Sequence, residues 1–311
     1  MTAAARWLGA LGVAMLLAGC GGRHAARPSS PGPAAAAVPA GGTSHRGWFH
    51  RGARDDTSLP QSRRYRDSDD SVPAGPPPAA IARLPEPVPK AEPRSLYGNK
   101  SPYSVRGETY RVLPSARGYD ERGIASYYGN KFDGYKTSSL EDYDMYKFTA
   151  ASKVLPLPSY ARVTNLENGK SVIVRVNDRG PFHENRIIDL SYAAAVRIGI
   201  WPRGTGLVEV QGIDPAAPGG EPPPLPAVPA ESSHPGIFLQ VGAFADPANA
   251  ERVAGRLRQA GLTPVRVVQA EVGGRRVQRV QLGPLADVDA ADRVTERIER
   301  MGLPRPQVAV D

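Results

Sequence analysis

Two stretches near the end of the chain repeat one another. "LQVGAFADPANAERVAGRLRQAGL" and "VQLGPLADVDAADRVTERIERMGL" align so that Gly242 matches Gly283, Asp246 matches Asp287, Arg252 matches Arg293 and Gly261 matches Gly302. Each half reads as a strand, an aspartate N-cap, an amphipathic helix and a glycine stop. Pro247 sits at the first helical position, where its missing N–H costs nothing. Val253 with Leu257, and Val294 with Ile298, give apolar pairs one helical turn apart. Strand-like runs "TPVRVVQA" and "RPQVAV" follow the two helices. A duplication of this kind predicts a βαββαβ module over residues 236–311, a four-stranded antiparallel sheet with both helices on one face. Period-two alternation turns Leu239, Val241, Val280 and Leu282 toward the helices. It turns Phe238, Gln240, Arg279 and Gln281 to the open face. Such a face suits a nucleic-acid platform or a glycan, on which amides and an aromatic ring can pack. The nearly balanced charge of the module and the lack of an RNP1 aromatic pattern weigh against the first.

The remainder cannot be one compact fold. Among 311 residues there are 33 Gly and 32 Pro, a share that implies disordered stretches. Residues 20–95 contain "RPSSPGPAAAAVPAGG" and "PAGPPPAAIARLPEPVPKAEP", which bury too little apolar surface to offset chain entropy. They read as an extended tether. A second linker, 214–235, precedes the repeat module. At the start, Arg6 is followed by an apolar run from Trp7 to Ala18. The run is short for a membrane span and has the size of a secretory signal core. It ends in Leu17-Ala18-Gly19-Cys20, which resembles a bacterial lipobox. That resemblance implies a signal peptide over 1–19 and a lipid on Cys20, anchoring the protein to a membrane.

Cys20 is the sole cysteine. No disulfide within the chain and no cysteine-based metal site can form. Three of the five histidines fall in the proline-rich N-terminal region, which leaves paired-His metal motifs and a Ser-His-Asp arrangement poorly supported. No metal or cofactor is expected. The formal charge of +8 suits an anionic partner, and export removes nucleic acid as that partner.

Residues 96–213 form the other module. Short alternating runs ("YRVLP", "GIASYYG", "YARVTN", "SVIVRVND", "RIIDLS", "GLVEVQGI") recur between Gly, Pro and Asn turn signals. They predict a β-barrel or sandwich. Asn168-Gly169 marks a hairpin. Ser191 is an N-cap for one short helix, "YAAAVRI", that stops at Gly199. The candidate acids are Glu141, with Asp142 and Asp144 beside it, Asp178 at the end of the strand "VIVRVND", and Asp189. Cutting a polysaccharide needs a proton for the leaving oxygen, usually from one or two carboxyl groups. Asp178 stands before the turn residues Gly180 and Pro181, so it is either turn punctuation or a rigidly held acid. Spacing does not choose between them.

The run from "GIASYYGNKFDG" through "VNDRGPFHENRIIDLSYAAAVRIGI" resembles the rare lipoprotein A (RlpA) family. "LQVGAF" and "VQRVQLGPL" resemble the strands of SPOR domains. The order of lipobox, linker, barrel and SPOR module fits as well. The resemblance implies a six-stranded double-psi β-barrel followed by the βαββαβ SPOR domain. It implies a lytic transglycosylase that cuts between N-acetylmuramic acid and N-acetylglucosamine in peptidoglycan lacking stem peptides, leaving a 1,6-anhydro end. Carried over by position, the catalytic aspartate is Asp178 and its partner glutamate Glu141. Arg179, Ser152, Tyr128 and Thr137 are expected to touch substrate, and Phe238, Gln240, Arg279 and Gln281 to bind glycan on the SPOR face. Leu140 stands where the family usually has glycine, and Ser152 where it has histidine. Implied partners are denuded glycan strands, the membrane through Cys20, and divisome proteins. The implied place is the cell envelope, on the periplasmic face of the outer membrane and enriched at the septum. The alternative is a non-catalytic, expansin-like peptidoglycan-binding lipoprotein of the septal ring.

Overall fold

The computed structural model describes residues 70–75, 77–183, 185–216 and 236–310. The signal segment, Cys20 and most of both linkers lie outside the described residues. A small hairpin, β1 (Tyr103–Val105) and β2 (Glu108–Tyr110), precedes six strands that close into a barrel. These are β3 (Asp120–Tyr128), β4 (Thr149–Ser152), β5 (Ser159–Asn165), β6 (Ser171–Asp178), β7 (Arg186–Ser191) and β8 (Thr205–Ile213). Their order round the barrel is β3-β7-β4-β6-β5-β8. β3 runs parallel to β7 and β4 parallel to β6, while the other four pairings are antiparallel. The crossed parallel pairs leave two strand ends, those of β4 and β6, side by side at one rim.

The alternation read from the sequence is the alternation observed. Val172, Val174 and Val176 of β6 fill the barrel with Ala161, Val163, Ile188, Leu190, Val208 and Val210. Asn168-Gly169 turns β5 into β6, with Gly169 at φ 69°. Ser191 caps helix α1 (Tyr192–Arg197), accepting from the Ala194 N–H, and Gly199 follows its end at φ 75°.

The second module has the expected βαββαβ order: β9 (Ile237–Phe244), α2 (Pro247–Gln259), β10 (Val265–Val272), β11 (Arg275–Leu285), α3 (Val288–Arg300) and β12 (Gln307–Val310). The antiparallel sheet has the order β10-β11-β9-β12. Asp246 and Asp287 cap the two helices through their side chains. Leu239, Val241, Val280 and Leu282 pack with Ala254, Leu257 and Ile298 of the helices.

The expected tether departs from expectation at its end. Residues 70–95 lie on the barrel instead of running free. Ile81, in a short 3-10 turn (Ala79–Arg83), is buried in the barrel core. Asp70 accepts from the Gly129 and Lys131 N–H groups, and Glu86 accepts from the Ile173 N–H. Extended, proline-rich chain makes few hydrogen bonds to itself. Its carboxylates and single apolar residues are therefore free to dock elsewhere. That docking has no period, which is why the composition read as a tether.

Candidate active site

Asp178 ends β6 at the rim. The parallel ladder with β4 shifts register there: Ala150 faces Val176, but Ala151 faces Asp178. Asn177 is the extra residue, and a bulge of this kind re-aims the next side chain. Gly180 follows at φ 145°, a conformation that any side chain would strain. The chain then leaves the barrel sharply.

A second segment meets this strand end. Residues 137–141 form a tight turn in which the Thr137 N–H donates to the Glu141 carbonyl at 2.8 Å and the Leu140 N–H to the Thr137 carbonyl at 2.9 Å. This one turn holds both Asp178 and Glu141. Its Ser138 donates to Asp178 Oδ1 from the backbone N–H at 2.8 Å and from Oγ at 2.6 Å. The Arg179 N–H donates to the same oxygen at 2.7 Å. Three donors therefore fix Oδ1, and Oδ2 is left as the oxygen able to carry and deliver a proton. Burial raises the Asp178 carboxyl above its ordinary value, while the Ser138 and Arg179 hydrogen bonds pull it back only in part. A carboxyl raised by burial is suited to act as a general acid near neutral pH.

Glu141 is held differently. Its Oε2 pairs with the Arg175 guanidinium and accepts from Asn177 Nδ2 at 2.9 Å. Arg175 and Asn177 are two apart on β6, so alternation puts them on one face. The other side of Arg175 carries Glu92, in a bidentate pair at 3.1 and 2.9 Å. The hydrogen bond from Arg175 holds the Glu92 carboxyl below its ordinary value. The result is a Glu92–Arg175–Glu141 chain from the N-terminal segment to the site.

Asp178 and Glu141 are thus brought together through residues 137–141 and 177. The four residues expected to touch substrate are engaged within the fold instead. Thr137 is buried, its Oγ1 bonded to Ser139 and to the Glu141 N–H. Tyr128 is buried and stacked on Tyr143 at 4.3 Å. Ser152 is buried, and its Oγ accepts from the Val154 and Leu155 N–H groups. Arg179 spends its guanidinium on the carbonyls of Gly98, Ser152 and Leu155 and on Asn99 Oδ1. Burial pushes its pKa down to about 10. Its task is to lock residues 98–99 and the end of β4 around the Asp178 loop. Asp189 is half-buried and accepts from Ser126 Oγ, a structural bond.

Sequence reasoning missed Ser138, Arg175, Asn177 and Glu92. Arg175 and Asn177 carried a signal, since strand alternation sets them together on the face opposite the core valines; only the bulge at Asn177 turns Asp178 toward the same site. Glu92 carried none.

On the face of the second sheet away from the helices, Gln240 and Gln281 pair across the ladder; the expectation of an open face is corrected at Phe238 and Gln281, which are both buried. Arg266 lies over the Phe238 ring at 3.7 Å and donates to Gln281 Oε1 at 2.9 Å. Phe238 is therefore roofed by a guanidinium instead of standing bare. Arg279 lies past a register shift, opposite Ala243. Arg266 was missed, although the alternation of "TPVRVVQA" places it on this face.

Residues 120–211 match the family described as "Lytic transglycolase", and residues 233–308 match the SPOR domain. An endolytic peptidoglycan transglycosylase RlpA of Pseudomonas aeruginosa (strain UCBPP-PA14) is 39% identical over 276 residues, covering 73% of this chain and 80% of that protein. The protein of the same name from Vibrio cholerae is 40% identical over 239 residues, covering 77% and 86%. Among solved structures, the RlpA SPOR domain from Pseudomonas aeruginosa is 34% identical, covers 24% of this chain and 97% of that one, and has a TM-score of 0.22.

Proposed function

Because the chain belongs to the RlpA family of endolytic peptidoglycan transglycosylases, we propose that it is a lytic transglycosylase acting on glycan strands that lack stem peptides, cutting the bond between N-acetylmuramic acid and N-acetylglucosamine. The observation that carries this reading is Asp178: a carboxyl raised by burial, with one oxygen fixed by three donors and the other unspent.

The mechanism follows from one proton. Asp178 Oδ2–H donates to the glycosidic oxygen as the C1–O bond breaks. The leaving N-acetylglucosamine departs with that proton. The muramyl 6-hydroxyl attacks C1 of its own ring, and its proton passes to the Asp178 carboxylate. The acid is restored, and a 1,6-anhydro end closes without water. Glu141, anchored through Oε2, presents negative charge to the oxocarbenium-like centre. Arg175 and Asn177 keep that charge in place. Neither carboxyl has to trade roles with a water molecule.

The same reading assigns the SPOR module to stem-less glycan and Cys20 to a lipid that holds the protein at the membrane, with residues between the anchor and residue 70 as the tether. Enrichment at the septum and contact with divisome proteins belong to this reading. The test is incubation of stem-stripped sacculi with the full chain and with Asp178→Asn. The reading expects anhydro-muramyl fragments from the first and a loss of at least roughly a hundredfold from the second. Equal release by both, or none by the first, removes Asp178 from the chemistry. Binding without release would leave the non-catalytic alternative standing.

A further inference from the structure

Six large hydrophobic residues are exposed among the described residues: Val88, Leu96, Tyr97, Leu140, Val268 and Val272. Three of them, Leu96 (94% exposed), Tyr97 (56%) and Leu140 (41%), stand on two segments that touch beside Asp178. Ser95 Oγ donates to the Ser139 carbonyl at 3.5 Å. Gly98 packs so closely that a Cβ there would lie 2.8 Å from the Ser138 carbonyl oxygen. The Gly98 carbonyl takes the Arg179 Nε–H at 2.6 Å, and Asn99 bonds both faces of Leu157, donating at 2.6 Å and accepting at 2.9 Å. Residues 95–99 are therefore pinned on both sides of Tyr97, while Leu96 and Tyr97 themselves project outward.

Leu140 is unfavourable twice over. Its φ is 65°, the left-handed region that a branched side chain resists, and its side chain faces water. Three exposed apolar side chains on two segments that touch beside a reacting carboxyl suggest a function for that strain. The faces of pyranose rings carry C–H groups that pack on aromatic and aliphatic surfaces.

We propose that Leu96, Tyr97 and Leu140 form a sugar platform: a subsite that seats one ring of the glycan strand next to the bond broken at Asp178. The proposal rests on the glycan-cutting reading above. It adds residues 95–99, which lie outside the matched barrel family at 120–211, to the site.

Two experiments test it on the full chain. In steady-state cleavage of denuded glycan strands, Tyr97→Ala raises KM about tenfold with kcat nearly unchanged, and Tyr97→Phe restores it, the size expected of one aromatic contact. Leu140→Gly raises KM by roughly threefold and raises Tm at the same time, because the left-handed strain is relieved. KM unchanged in these variants overturns the platform, as does a Tyr97→Ala defect that Tyr97→Phe fails to rescue. The second experiment needs no turnover. Tyr97→Trp in the Asp178→Asn background is titrated with denuded glycan, and the indole introduced at position 97 reports local occupancy separately from binding at the SPOR module. A saturable fluorescence change absent from the Asp178→Asn parent supports the platform, and a flat response overturns it. A saturable change together with no anhydro product from the unsubstituted chain separates the two readings: the platform stands and the enzymatic one falls.

Discussion

At Asp178 burial and hydrogen bonding act in opposite senses, and burial prevails. Two consequences follow from that sign. Ser138→Ala removes a bond that favours the carboxylate, so the Asp178 pKa rises further. The alkaline limb of the pH–activity profile, where the acid loses its proton, then moves upward; a limb that stays or moves down contradicts the assignment. The second consequence is for stability. The folded pKa lies above the unfolded one, so this group's contribution is fully present below the ordinary carboxylate value and is lost as pH rises through the folded value. Asp178→Asn is therefore more stable than the parent chain at neutral pH, and its advantage fades as pH falls through the raised folded value and is gone below the ordinary carboxylate value of about 4. Thermal melts across pH read this directly. At this scale the sequence showed the acid but not its surroundings. "VNDRGPF" ends a legible strand, and the family resemblance singled out its aspartate. Ser138 is one hydroxyl in "TSSLE", and nothing in spacing says which serine turns toward a strand forty residues away.

The element that sequence reading misjudged is the segment before the barrel. Proline and alanine composition speaks of chain entropy, yet Ile81, Glu86 and Glu92 each find a specific partner on the barrel. Such partners are single, long-range contacts, invisible to any periodicity. Glu92→Gln leaves Arg175 with one carboxylate in place of two. Loss of the bidentate, partly buried pair lowers stability by roughly 1–3 kcal/mol in urea denaturation. Because Arg175 depresses the Glu92 carboxyl, the contribution is present above the ordinary carboxylate value. It is lost as pH falls through the depressed one, so parent and variant converge in acid. A variant as stable as the parent at neutral pH would show that the segment merely rests on the barrel. The strands and helices themselves were legible because each obeys a period: two for β6 and β9, and 3.6 with aspartate caps for α2 and α3.

Over the whole molecule, the division of labour between a cutting barrel and a binding module follows from the two matched families, while Ile124 and Leu207 of the barrel are buried in one apolar cluster with the second module. Deleting 236–311 should abolish septal fluorescence of a fusion; an unchanged septal pattern contradicts the assigned role of the SPOR module. Fold class and module order were readable because duplication and alternation are properties of the chain itself. The assembly of the site was not, since it joins residues 92–99, 137–141 and 175–179, which meet only in the fold. The central claim is that Asp178 makes the muramyl 6-hydroxyl, and not water, the nucleophile. Mass spectrometry of fragments released from stem-stripped sacculi in heavy-oxygen water tests it most directly. Attack by the 6-hydroxyl gives 1,6-anhydro ends without label; reducing ends carrying the heavy oxygen would contradict the assignment.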